Sequence, residues 1–180
     1  MEQLKLAYAQ SKNRVWYLLL VLFTATAVSL PLFGNIDHDG YILLGLLLAL
    51  FVEYAALVWF IPIDSLSIKP ATYVAVGLIA LVLLSAKPLF STDVYRYIWD
   101  GGLSLHGINP YTIKPVDVTE PAVLTSGLLA HQGSPNEYTI YPPFAQVIFA
   151  VSYAVYSFWG LTGAKLVFAL PLFLQWIENK

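Results

Sequence analysis

The chain has 180 residues, 58% of them hydrophobic and only 11% charged, with a mean hydropathy of +0.69. Soluble domains carry about 25% charged residues, so this composition excludes an ordinary water-facing globule and makes a bilayer the natural solvent. The net charge of −2 provides no basic field for nucleic acid, and the lack of cysteine removes disulfides, thiolate metal sites and cysteine nucleophiles.

A helix needs about 20 apolar residues to cross the hydrocarbon core. The first such run is 15–33. It exceeds the roughly 7–15-residue apolar region of a signal peptide, so it reads as a retained span. The second, 41–63, contains Glu53; an intramembrane carboxylate is costly, which makes it a functional or a helix-packing residue. The third, 71–86, is short. The fourth and fifth are 144–159 and 164–177. The predicted fold is all-α: an integral membrane protein of four to five transmembrane helices, with one long loop over 87–143. Trp16, Tyr17, Tyr41, Trp59, Tyr73 and Trp159 lie near the ends of the apolar runs, where amphipathic rings anchor at the interface.

Cations in short loops set orientation. Lys5, Lys12 and Arg14, then Lys69, then Lys165 all fall on one side if the spans alternate, while the turn 35–40 has no Lys or Arg. The N-terminus is therefore predicted cytoplasmic and the 87–143 loop extracytoplasmic, in the cell inner (plasma) membrane. In that first outside turn, Asp37, His38 and Asp39 have the composition of a small acid–base or metal cluster, and equally that of an ordinary polar turn.

The long loop opens with Ser91-Thr92-Asp93-Val94-Tyr95-Arg96-Tyr97-Ile98-Trp99-Asp100-Gly101-Gly102. Polar residues that cap a helix start and a Gly-Gly that can end one predict a short amphipathic interfacial helix from about Asp93 to Asp100. At 3.6 residues per turn Asp93, Arg96, Tyr97 and Asp100 share one face. Two readings stand. One is a solvated stripe in which Arg96 pairs with Asp93 and Asp100. The other is a base and a phosphate ligand presented at the bilayer surface. His106-Gly107-Ile108-Asn109-Pro110-Tyr111 follows as a turn, and Pro115, Pro121 and Pro135 speak against a long helix. The loop closes on Tyr138-Thr139-Ile140-Tyr141-Pro142-Pro143-Phe144-Ala145-Gln146, with Pro-Pro suited to a helix start. Tyr138 and Tyr141 suit either sugar stacking or interfacial anchoring.

These three segments, in this order between apolar runs, resemble the opening of the GT-C membrane glycosyltransferases, and within them the polyprenol-phosphate-mannose-dependent mannosyltransferases of glycosyltransferase family 87. The resemblance covers about 91–146 in detail. It implies transfer of mannose or another hexose from a polyprenyl-phosphate donor to a hydroxyl of a glycan or glycolipid, usually with inversion and with an acidic general base. On the matching motif the base is Asp93, with Asp100 as second choice. Arg96 is implied as a ligand of the donor phosphate, and Tyr97, His106, Asn109, Tyr111, Tyr141 and Gln146 as further substrate-binding residues. No organic cofactor is implied; a divalent metal is compatible with the chemistry. Members of the class are longer, with more spans, so the resemblance implies the N-terminal part of a larger module: a fragment, a split gene product, or one half of a complex with a separate C-terminal half. In the superfamily the base commonly lies in the first outside loop, which here is 35–40. The alternatives are a truncated, non-catalytic membrane subunit and a transporter-like subunit using Glu53 and the loop carboxylates.

Overall fold

The computed structural model describes residues 1–34, 36–61 and 69–178. Among them every regular element is helical. The chain forms two compact units, Met1–Phe90 and Ser91–Lys180.

In the first unit α1 (Glu2–Ser29) packs on both α2 (Ile36–Trp59) and α3 (Lys69–Ser85). α1 tightens into a 3-10 turn over Leu30–Phe33, where Pro31 has no N–H to continue the α-helical ladder. The interior is small. Trp16, Ala27, Leu30, Leu43 and Ala75 are buried, while Leu18, Leu48, Phe51 and Leu81 face outward. Helices that are apolar on their outer faces as well belong in lipid. By length and composition Gln10–Phe33 and His38–Trp59 can each cross a membrane, and Lys69–Ser85 is a shorter apolar helix. Glu53 is buried between helices, where the Thr26 hydroxyl donates to its Oε1 at 3.0 Å. That bond ties α1 to α2 and gives the helix-packing reading of Glu53 a specific contact.

Two expectations for this unit are corrected. The polar turn 35–40 is helical from Ile36 onward, because acidic residues such as Asp39 are favourable in the first turn, at the positive end of the helix dipole. His38 Nδ1 and Asp39 Oδ1 lie 2.8 Å apart, but no three acidic or imidazole side chains converge among the described residues. The Asp37 side chain and Asn35 lie outside the described residues, as does the predicted end of the second span at 63. Trp16 is not a surface anchor: it is buried, with its ring edge-on to Tyr17 at 5.5 Å.

The second unit holds α4 (Asp93–Leu105), the single turn α5 (Pro121–Leu124) and α6 (Pro143–Glu178), with 3-10 turns at Pro115–Asp117 and Leu128–His131. α6 starts at the expected Pro-Pro pair. Within it, Pro143–Pro171 has the length and composition of a third membrane-crossing helix, yet it is not continuous. Gly160 has φ 63° and ψ −157°, a conformation essentially restricted to glycine. Beyond it the chain folds back. The Ser152 hydroxyl donates to the Ala164 carbonyl at 3.4 Å, and the rings of Phe149 and Phe168 are 6.2 Å apart. On an unbroken helix these pairs would be separated by about 18 Å and 28 Å. α6 is therefore a hairpin with arms 143–159 and 161–178, each roughly 25 Å long at 1.5 Å per residue. The break falls between the apolar runs 144–159 and 164–177.

The α4 expectation is corrected in two respects. The helix does not stop at Gly101-Gly102 but runs to Leu105, and its apolar face is turned into a protein core and not outward. Ile98, Trp99 and Leu103 form the core of the unit with Val118, Val123, Leu128 and Ala164. The glycines serve close packing. A Cβ on Gly101 would come within 1.9 Å of the Phe149 carbonyl oxygen, and one on Gly102 within 2.7 Å of the Tyr153 ring. This tertiary contact with α6 outweighs the low helix propensity of a glycine pair.

Candidate active site

The first two turns of α4 carry the residues singled out by sequence. The Ser91 hydroxyl accepts from the Asp93 N–H at 3.1 Å and fixes the start of the helix. Asp93, in the first turn, is exposed. One turn further in, Arg96 is buried, and Asp100 is fully buried. Arg96 Nε donates to Asp100 Oδ1 at 2.9 Å, Nη1 to the Ser134 carbonyl at 2.9 Å and Nη2 to the Glu137 carbonyl at 2.9 Å. The planar guanidinium can do this because its donors diverge in a rigid fork. It clamps the 134–137 segment over α4. The solvated-stripe reading is thereby corrected: among the described residues Arg96 pairs with Asp100 alone, and the pair is sealed from water.

Burial pushes the Asp100 carboxyl above the ordinary carboxylate range; Thr139, Arg96 and Gln146 act in the opposite sense but do not outweigh it. Thr139 and Gln146 stand beside the carboxyl without making a well-directed hydrogen bond to Oδ2, which is buried and unpaired, as is Gln146 Oε1. Gln146 Nε2 instead donates to Thr139 Oγ1 at 3.3 Å. Gln146 is thus part of the buried support under α4.

An aromatic wall stands beside Asp93. Tyr97 stacks on Phe149 at 4.7 Å and meets Tyr141 edge-on at 4.9 Å, with Phe168 closing the group at 5.7 Å. Burial, a hydrogen bond with Tyr97 and the negative charge of Asp93 push the Tyr141 phenol well above the usual tyrosine range. It stays protonated at neutral pH and remains a hydrogen-bond donor. Tyr111 braces this wall by donating its hydroxyl to the Tyr141 carbonyl at 2.5 Å, and the Asn109 carboxamide holds Tyr111 through its N–H at 3.0 Å. The structure therefore gathers Asp93, Arg96, Tyr97, Asp100, Tyr111, Tyr141 and Gln146, with Asn109 one contact behind. It does not bring His106 to them. His106 lies 2.7 Å from the Gly102 carbonyl at the other end of α4, about 20 Å along the helix from Asp93. Sequence reasoning missed Thr139, Phe149, Phe168 and the two clamped carbonyls. Thr139, Phe149 and the two carbonyls had only their proximity to the Tyr-Pro-Pro segment as a sequence signal, and Phe168, remote in sequence, had none.

The sequence matches a protein family described as alpha-(1->6)-mannopyranosyltransferase, N-terminal domain, over residues 41–174. The chain belongs to this family. Searches of curated proteins and of solved structures gave no match. The matched region runs from α2 into the second arm of α6 and includes every residue of the site, so the carboxylates and aromatic wall of this mannopyranosyltransferase-family chain lie inside the domain that defines the family. Together with the apolar helices, the match makes it a membrane protein of glycosyltransferase type.

Proposed function

We propose that this domain binds a polyprenyl-phosphate-mannose donor and a glycan or glycolipid acceptor, and that Asp93 is the general base for transfer between them, in the manner of the GT-C enzymes of glycosyltransferase family 87. The observation that carries the reading is the contrast within α4: one carboxylate is exposed beside an aromatic wall, and the other is sealed under Arg96. Only the first can reach a substrate. The acceptor hydroxyl attacks the anomeric carbon and passes its proton to the Asp93 carboxylate. The bond between that carbon and the phosphate oxygen breaks, and polyprenyl phosphate leaves with the electron pair. Attack opposite the leaving group inverts the anomeric centre. Phosphate is a good leaving group, so the chief demand on the protein is a base at the acceptor oxygen and orientation of both sugars. Tyr97 and Tyr141 offer ring faces and a neutral phenol donor for that orientation. With its fork bound to protein carbonyls, Arg96 serves as a positioning residue that holds the wall against α4.

The distribution of cations supports a cytoplasmic N-terminus and an extracytoplasmic 87–143 segment, with the two arms of α6 as separate short spans. The direct test uses membranes carrying the complete protein, supplied with radiolabelled polyprenyl-phosphate-mannose and a mannan acceptor. Wild type should form an inverted mannosidic product and release polyprenyl phosphate. Asp93→Asn should lower the rate by roughly 100–10,000-fold, the usual span for loss of a general base. Undiminished transfer by Asp93→Asn would remove Asp93 from the mechanism.

A further inference from the structure

The segment 138–144 alternates. Thr139 and Tyr141 point inward, one buried beside Gln146 and the other against Tyr97. Between and around them, Ile140 is 87% exposed, Phe144 77% and Tyr138 49%. An isoleucine held out in this way is not a loose loop tip. The Glu137 carbonyl is clamped by Arg96, and the Tyr141 carbonyl is held by the Tyr111 hydroxyl, at 2.9 and 2.5 Å. The backbone is pinned on both sides of Ile140, so this residue cannot fold its side chain inward without breaking the wall of the site.

The exposed apolar residues continue without interruption into α6. Phe144, Val147, Val151 and Phe158 are all exposed, at helical spacings that place them along one side of the first arm. Gln146, Phe149 and Ser152 are buried on the other side. No acidic or basic residue occurs between Glu137 and Lys165. A surface built to meet a soluble protein usually carries a polar rim with charges. The Lys114 ammonium lies over the Tyr138 ring at 5.3 Å, at the base of the segment. From Ile140 onward the chain's own residues carry no charge as far as Lys165, and an uncharged apolar surface that merges with the outer side of an apolar helical hairpin matches the hydrocarbon and interfacial zone of a bilayer instead.

We propose that segment 138–144 is a membrane-contacting finger, with the Ile140 side chain immersed in the bilayer and Phe144 continuing the contact into the lipid-facing side of α6. Thr139 and Tyr141 flank Ile140 directly, so the finger ties the aromatic wall to the lipid boundary. It fixes the height of Asp93 above the membrane, where the reactive end of a lipid-linked sugar is held. The inference needs the chain to be a membrane protein but not Asp93 to be the base, and its test reads no activity.

Residues 1–180 contain no cysteine, so a cysteine introduced here is labelled site-specifically once any cysteine elsewhere in the complete protein has been replaced by serine. Ile140→Cys in the complete protein, carrying a nitroxide and placed in phospholipid nanodiscs, is compared with Thr119→Cys on an exposed polar stretch. Collision rates are measured with oxygen, which concentrates in lipid, and with a water-soluble nickel chelate. At position 140 oxygen should dominate, by several-fold relative to position 119, where the chelate should dominate. A position 140 as open to the chelate as position 119 would place the finger in water and overturn the proposal. Low access to both reagents would show that protein covers Ile140, and would overturn it equally.

Discussion

Residues 1–90 are the more apolar half of the chain and 91–180 the more polar, and the two bury different things. In the first unit the interior is alanine, leucine and one tryptophan, and the buried carboxyl of Glu53 has a single hydroxyl partner from a neighbouring helix. In the second unit an arginine, an aspartate, a threonine and two glutamines are buried, and one guanidinium holds a helix and a loop together. Lipid can cover the outer faces of the first unit, which needs little internal specification. The second unit holds its exposed Asp93 at the start of a helix fixed by polar bonds and close backbone contacts.

The sharpest test of that contrast is to remove each unit's buried carboxylate. Asp100→Leu leaves Arg96 buried and unpaired and should destabilise the second unit by about 3–5 kcal/mol. Glu53→Leu replaces a singly bonded carboxyl by an apolar group in an apolar setting and should change stability by less than about 1 kcal/mol. Thermal denaturation of both variants in one detergent checks the order; equal losses would erase the contrast.

Glycines give a second pair. Gly101→Ala drives a methyl into the Phe149 backbone and should cost about 1–3 kcal/mol or more. Gly77→Ala, inside α3 with no neighbour within 4 Å of the new Cβ, should stabilise by roughly 0.5–1 kcal/mol. Gly160→Ala isolates the backbone effect. Its Cβ meets nothing within 4 Å, but a positive φ is forced on alanine, so a loss of about 1–3 kcal/mol is expected from strain alone. Hydrogen exchange of the α6 arms would show whether the hairpin is what loosens.

The smallest effect is with pH. The folded-state pKa of Asp100 lies above its unfolded value, so the folded state binds the proton more tightly. The stability linked to Asp100 is fully present below the unfolded pKa and is lost as pH rises through the folded one. Acidification from neutral should therefore strengthen this term. Asp100→Asn, which keeps an acceptor for Arg96 Nε and cannot titrate, should remove that part of the pH slope, as read from melting temperatures across the acid range.

The all-helical, membrane-suited character of the chain was legible because hydropathy is a local property of sequence. The Arg96–Asp100 pair was legible from its four-residue spacing, and the Pro142-Pro143 helix start from local geometry. The fate of the polar face was not. Asp93 and Asp100 lie on the same side of the helix, so periodicity treats them alike; they differ in position along the axis, one beyond the covering loop and one beneath it. Gly101-Gly102 misled because a glycine pair looks the same whether it ends a helix or admits another backbone, and the deciding partner, Phe149, is remote in sequence. The carbonyls of Ser134 and Glu137 carry no side-chain signal, which hid the clamp that Arg96 forms.

The central claim is that Asp93 does chemistry while Asp100 holds structure. The most direct measurement compares Asp93→Asn with Asp100→Asn, each assayed for mannosyl transfer per folded molecule and for melting temperature. The account predicts that Asp93→Asn melts like wild type and has lost transfer by 100-fold or more, whereas Asp100→Asn melts differently and retains transfer in its folded fraction. Full transfer by Asp93→Asn together with a folded but inactive Asp100→Asn would contradict it.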